Sequence, residues 1–223
     1  MELPTKWTAN DIRNAKVKVL KNMSVIKLED CLLGQYNGYK DDETIENRDT
    51  VTPTYACIRT KVNTKTWKGV PFIMEAGKAL DERVCEARLH FHGNGNKSQP
   101  NCLVLRLQPT PAIYFTTNLK TPGFSSTPVS THVGVDYEVH KAAIPDAYTR
   151  LLLDVLRGQQ ANFVRDDELD LAWKIFTPVL HQTERDQVEP LPYEQGTSGP
   201  AVRDEFLHSA GIAACWLPPP AAL

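Results

Sequence analysis

The chain has 223 residues, 25 basic and 27 acidic, with 41% hydrophobic and 23% charged positions. That length supports one large domain or two small ones around a genuine core. The near balance of charge gives no reason to expect a polyanionic partner, so nucleic-acid binding is set aside. No apolar run is long enough to span a bilayer, and no basic-then-apolar leader opens the sequence.

The first segment reads as an entry loop, followed by a helix over about 10–23. Ile12, Val17 and Leu20 share one face, and Asn10 or Asp11 is placed to cap the first turn. Residues 31–36 (CLLGQY) read as a short strand, and 37–49 as an exposed polar loop. A strand over 54–62 carries Tyr55, Ala56, Ile58 and Val62. A turn at 67–71 leads into residues 69–91, which read as strand, Gly-Lys turn and second strand. Gly77 supplies the backbone freedom at the bend. Lys78, Arg83 and Arg88 follow it, so three cations on one hairpin could face a single anion. The competing reading is a solvated strand edge, where lysines usually sit.

A turn-rich loop over 92–101 precedes the clearest strand, 102–108, which Pro109 and Pro111 end. A strand over 112–119 follows, then an irregular stretch over 121–132 and a strand near 133–139. Two helices come next. Pro145 suits a first turn, Tyr148, Leu151, Leu152, Val155 and Leu156 form an apolar stripe, and Gly158 stops the helix. The second opens on Asp166, Asp167 and Glu168, where the helix dipole favours acids. Its stripe is Leu169, Ala172, Trp173 and Phe176, and Pro178 kinks or ends it. Both stripes are expected to face the core. A loop over 191–200, a short helix over 201–210 and an irregular tail complete the chain.

Short polar turns, not helices, join the strands. The expected fold class is therefore α+β, with a large, mainly antiparallel sheet and helices packed against it. The domain is expected to span 1–211, leaving 212–223 as the tail.

Chemistry-bearing motifs are sparse. No GxGxxG lies between a strand and a helix, and neither GxxxxGK[ST] nor HExxH occurs. His90 and His92 share a strand face, but no third metal ligand is near, so structural or solvent-facing roles are preferred. Cys31, Cys57, Cys85, Cys102 and Cys215 are odd in number and never in a CxxC pair. This favours reduced thiols in a cytoplasmic compartment over disulfides or zinc, with Cys57, Cys85 and Cys102 as small buried hydrophobes.

Longer runs say more. Residues 11–20 (DIRNAKVKVL), 33–36 (LGQY), 69–73 (GVPFI), 77–80 (GKAL), 105–109 (LRLQP), 145–148 (PDAY), 163–169 (FVRDDEL), 175–178 (IFTP) and 199–200 (GP) occur in an order that resembles the C-terminal part of glucose-6-phosphate dehydrogenase, from Glu2 to about Gly211. The resemblance implies an NADP-dependent oxidoreductase of the pentose phosphate pathway, converting glucose 6-phosphate to 6-phosphogluconolactone. It also implies a β+α domain whose sheet face forms a homo-oligomer.

In that family the NADP-binding Rossmann-like domain and the catalytic histidine lie before the point matching Met1. The isolated chain is therefore expected to be a fragment without catalytic residues, and inactive. The resemblance assigns Lys78, Arg83 and Gln108 to substrate binding, and a cation pair suits a phosphate dianion. Arg88, Arg106 and Tyr114 match part of a structural NADP site found in some members, and Trp216 is placed at that site's stacking aromatic. Elsewhere the site departs: Glu75 and Ser198 replace arginines, Val84 and Thr116 replace lysines, and Gly134 replaces an aspartate. Losing those cations removes phosphate partners, so weak or no structural NADP is expected. The alternative reading is a non-catalytic module for dimerisation and sugar-phosphate binding.

Overall fold

The computed structural model describes residues 2–92, 100–120, 122–124, 128–136 and 145–212. The chain divides into two compact units, Met1–Ala79 with Ile144–Arg203, and Leu80–Ala143 with Asp204–Leu223.

In the first unit, α1 (Ala9–Lys21) is capped by Thr8, two residues before the nearer of the two expected caps, Asn10. The Thr8 hydroxyl accepts from the Asp11 N–H at 3.2 Å. Asp11 then lies in the first turn and Lys18 and Lys21 in the last, each matching the local sign of the helix dipole. Strands β1 (Cys31–Tyr36), β2 (Tyr55–Thr60) and β3 (Phe72–Gly77) pair antiparallel in the order β3-β2-β1. A short strand from the expected loop over 191–200, Leu191–Tyr193, adds to β1 in parallel and is β8 in chain order. Ile26, Ile175 and Val179 form the core beneath, packed by Leu20, Met23, Leu28, Cys31, Ile58 and Phe176.

The second unit is an antiparallel meander, β4 (Cys85–His90), β5 (Cys102–Gln108), β6 (Ala112–Lys120) and β7 (Pro128–Asp136), adjacent in that order. β7 begins inside the stretch expected to be irregular, because its pairing with β6 runs back from Ala112↔Asp136 to Lys120↔Pro128. Strand pairing is mainly antiparallel, as expected, but it is divided between two four-stranded sheets.

One consequence corrects the hairpin expected over 69–91. β3 pairs with β2 and β4 pairs with β5, and the two strands belong to different sheets. Each is an edge strand. Gly77 is itself the last paired residue of β3, and the left-handed turn falls at Ala79, φ +52°, where the chain passes from one unit to the other, so Arg88 is not on a hairpin with Lys78.

The helices also differ from the apolar stripes. α2 (Ala147–Leu156) starts after Pro145, with the Asp146 carboxylate accepting from the N–H groups of Tyr148 (2.9 Å) and Thr149 (3.0 Å). Gly158, at φ +66°, follows its end as expected. Its stripe, however, is open: Tyr148 is 80%, Leu152 66% and Leu156 84% exposed. α3 (Asp166–Arg185) buries Ile175, Val179 and Thr183, while Leu169 and Trp173 are exposed. Periodicity locates an apolar face but does not say which of two faces a neighbour covers. Pro178 sits inside α3 without ending it. The buried face carries the helix through, and the Ile175 carbonyl beside the proline accepts from the Ile26 N–H at 3.0 Å. α4 (Arg203–Ser209) falls within its expected span.

Cys31, Cys57, Cys85 and Cys102 are free thiols, but Cys85 is exposed, not buried. The residues of the loop over 93–99 and of the tail over 213–223, with Cys215 and Trp216, lie outside the described residues.

Candidate functional site

Lys78 directly follows β3. Its side chain is exposed, and its main chain is tightly held: the Lys78 N–H donates to the Thr54 carbonyl at 2.9 Å, and the Tyr193 hydroxyl donates to the Lys78 carbonyl at 2.7 Å. Arg83 and Gln108 lie in the second unit. Cys85 pairs with Gln108 at the end of the β4–β5 ladder, beside a register shift, so Arg83, two residues earlier, and Gln108 come to the same end of that sheet. Both are exposed. Lys78 belongs to the first unit. Among the described residues no carboxylate lies within ion-pair distance of Lys78 or Arg83. Exposed cations with no internal carboxylate keep their charge available to an outside anion.

Arg88, Arg106 and Tyr114 present the opposite case. Alternation along the strands puts all three on one face of the second sheet, with Glu86 among them. Glu86, only 8% exposed at its side chain, binds both arginines: Arg88 to Oε1, and Arg106 to Oε2 through Nε at 3.1 Å and Nη2 at 3.0 Å. Arg106 Nη2 also donates to the Tyr114 hydroxyl at 3.3 Å, and its guanidinium carbon lies 5.6 Å from the Tyr114 ring centre. Burial and the Glu86 charge push the Tyr114 hydroxyl above the usual phenol range. The two arginines thus share one carboxylate, from a residue not singled out in the sequence, which leaves the cluster one net positive charge. A glutamate two positions before Arg88 on a strand, hence on the same face, was the available signal.

The same face explains two of the departures from a dinucleotide site. A Cβ at Gly134 would meet Tyr114 Cβ at 2.7 Å and the Ile113 carbonyl at 2.9 Å, so the observed packing leaves no room for an aspartate. Thr116 is buried, with Oγ1 at 3.1 Å from His132 Nδ1, a place that would strand a lysine charge. Glu75 has its own partners. Its carboxylate accepts from the Tyr55 hydroxyl at 2.8 Å and from Arg203 Nε at 2.6 Å and Nη2 at 2.9 Å.

His90 and His92 are exposed, and among the described residues no three His, Cys, Asp or Glu side chains are grouped to hold a metal. No described helix is long and apolar enough to cross a membrane.

Comparison with known proteins supplies the family. The family model for the glucose-6-phosphate dehydrogenase C-terminal domain matches residues 1–216. The cytoplasmic isoform of glucose-6-phosphate 1-dehydrogenase from Solanum tuberosum is 43% identical over 98% of this chain and 45% of its own length. The enzyme of Drosophila melanogaster is 42% identical over 92% of this chain and 42% of its own. A solved glucose-6-phosphate dehydrogenase in complex with its substrate glucose-6-phosphate superposes with a TM-score of 0.89 at 39% identity, covering 97% of this chain and 48% of that one. The Mycobacterium avium enzyme gives 0.84 at 30% identity, over 100% of this chain and 48% of that one. The chain thus spans about half the length of the relatives it matches. It belongs to the glucose-6-phosphate dehydrogenase family, whose members are NADP-dependent oxidoreductases, and it covers that family's C-terminal domain.

Proposed function

We propose that this chain is the part of a glucose-6-phosphate dehydrogenase that grips the anionic end of glucose 6-phosphate and pairs subunits. Its relatives' reaction moves a hydride from the sugar's C1 to NADP. One observation carries the reading: 97% of the chain superposes on a relative solved with its substrate glucose-6-phosphate. The assigned substrate contacts, Lys78, Arg83 and Gln108, are exposed, and their two cations have no carboxylate partner among the described residues. A phosphate dianion recruits such donors through charge-assisted hydrogen bonds.

The Rossmann fingerprint and the histidine base of the family match nothing in these 223 residues. Phosphate binding alone does not accelerate hydride transfer when the reacting carbon is not also held. The 223-residue chain is therefore expected to bind glucose 6-phosphate weakly and to produce no NADPH. In an NMR titration, Lys78→Met and Arg83→Met should each weaken glucose 6-phosphate about ten- to a hundredfold, the worth of a hydrogen bond to a charged group. Glucose, lacking the phosphate, should show no such dependence. Unchanged affinity in both variants, or Lys78-dependent NADPH production by this chain, overturns the reading.

The residues at the structural dinucleotide position do not fit that group. Arg88 and Arg106 share Glu86, so the cluster carries one net positive charge where a 2′-phosphate needs several donors. NADP is accordingly assigned no role on these residues. Cytoplasmic residence is inferred from the relatives named as cytoplasmic isoforms.

A second reading concerns association. The face of the second sheet opposite Glu86 is apolar in all four strands: Leu89, Leu107, Ile113, Leu119, Val129, Val133 and Val135 are exposed there. An apolar sheet face of this extent is a binding surface or an aggregation liability. We assign it to a second copy of this chain. Sedimentation equilibrium should give a dimer at micromolar concentration, and Val133→Asp with Val135→Asp should give a folded monomer. A monomeric parent chain counts against the assignment.

A further inference from the structure

The segment that presents Lys78 is more constrained than a strand end needs to be. Three main-chain groups of Lys78 and Ala79 are bonded to other segments of the first unit. The Lys78 N–H reaches the Thr54 carbonyl at 2.9 Å, the Lys78 carbonyl accepts from the Tyr193 hydroxyl at 2.7 Å, and the Ala79 carbonyl accepts from the Gly196 N–H at 2.8 Å. Ala79 has φ +52°, in the left-handed region that an alanine rarely occupies, so these bonds hold a conformation the chain would otherwise leave.

Tyr193 is the centre of that clamp. It is buried, and its ring packs edge-on against Tyr55 at 5.8 Å and Tyr36 at 6.3 Å, which fixes where the hydroxyl points. The hydroxyl also lies 2.9 Å from Thr54 Oγ1. Burial raises its pKa, so the donor proton stays in place at neutral pH. Neither Tyr193 nor Thr54 faces the assigned substrate through a charge of its own. What they control is the direction in which the Lys78 stem leaves the backbone.

We propose that Tyr193, supported by Thr54, is a positioning residue for Lys78, and that its hydroxyl sets the affinity for the sugar phosphate by holding the Lys78–Ala79 turn. The inference rests on the assignment of Lys78 to the phosphate. A long, flexible lysine gains from a fixed root, because less of its freedom remains to be lost when the anion arrives.

The experiment compares the parent chain, Tyr193→Phe, Lys78→Met and the double variant. Glucose 6-phosphate affinity is read by NMR titration, and hydrogen exchange is followed at the Lys78 and Gly196 amides. Phenylalanine keeps the ring and its packing. Expected results are a three- to tenfold loss of affinity in Tyr193→Phe and faster exchange at both amides. The double variant should bind no worse than Lys78→Met, since the tyrosine acts only through the lysine. Thr54→Val, which removes the second hydroxyl, should give a smaller loss of the same kind. If Lys78→Met weakens binding but Tyr193→Phe and Thr54→Val do not, the positioning role is wrong and the substrate assignment stands. A lower melting temperature in Tyr193→Phe with unchanged affinity has the same meaning. If Lys78→Met itself binds as well as the parent, the substrate assignment falls, and the inference falls with it.

Discussion

Replacing Glu75 by alanine is expected to destabilise the first unit by about 3 kcal/mol, the cost of breaking one side of a buried ion pair. Arg203 is 6% exposed, and its guanidinium meets the Glu75 carboxylate through two parallel hydrogen bonds of 2.6 and 2.9 Å. The Tyr55 hydroxyl, on a residue 1% exposed, donates to the same carboxylate at 2.8 Å. Alanine leaves a buried guanidinium and a buried hydroxyl facing a space with no acceptor from Glu75. The Glu75 side chain is itself 27% exposed, which places the figure at the low end of the range for fully buried pairs. Glu75→Gln keeps an acceptor for Tyr55 but loses the charge, and should fall between parent and alanine. Urea unfolding measures all three, and a shift in stability below about 0.5 kcal/mol in Glu75→Ala, the size of an ordinary surface change, would show that the cluster does not hold the fold.

The same cluster reaches Gly199. A Cβ there would stand 2.8 Å from Tyr55 Cε2 on a backbone at φ +117°, so only glycine lets the loop close over the ring.

Alkaline titration gives the second large effect. Cys57 is fully buried, and burial foremost, then the nearby Glu75 charge, pushes its thiol up to about 12 from an ordinary value of 9.0. Tyr55, buried and facing Glu75, is raised for the same two reasons. Both are acids whose pKa is higher in the folded chain than in the unfolded one. The folded chain keeps protons that the unfolded chain has released, so stability is full below pH 9 and falls as pH rises toward 12. Each pH unit above a group's ordinary value and below its raised one is worth about 1.4 kcal/mol, so Cys57, starting from 9.0, contributes a loss of roughly 2 kcal/mol by pH 10.5, and Tyr55 adds to it only above pH 10. The check is the slope of unfolding free energy between pH 8 and 10.5 in the parent and in Cys57→Ala. The variant is less stable at every pH because of its cavity, but its slope should be shallower. Equal slopes would mean that the thiol ionises inside the fold without penalty.

Where the sequence could be read and where it could not divides along one line. β1 and β5 were placed at their observed ends, because a short apolar run bounded by turn formers admits little else. α1 and α4 came within a few residues, and the longer runs identified the family. Pairing was not legible in the same way. Two strands joined by seven residues, the first strand ending on Gly77, look like a hairpin, yet β3 and β4 each found a different partner, and Lys78 and Arg88 fall in different units. The α2 stripe was read as core-facing, and it is open. Of the expected α3 stripe, Leu169, Ala172, Trp173 and Phe176, Phe176 packs on the core while Leu169 and Trp173 are exposed, and the buried face centres on Ile175, Val179 and Thr183.

The candidate site shows the same division. Lys78, Arg83 and Gln108, like Arg88, Arg106 and Tyr114, are named only through the family resemblance that the longer runs carry. That Arg88 and Arg106 share Glu86, that Glu75 is committed to Arg203 across 128 positions of chain, and that Tyr193 holds the Lys78 backbone could not be read from the sequence. Local order in the chain determines which groups are apolar, charged or free to turn, because those properties belong to each residue and its neighbours. Which charges cancel and which stay available depends on distances between segments far apart in sequence. Coulombic and hydrogen-bond energies act over those distances, and only the folded chain sets them.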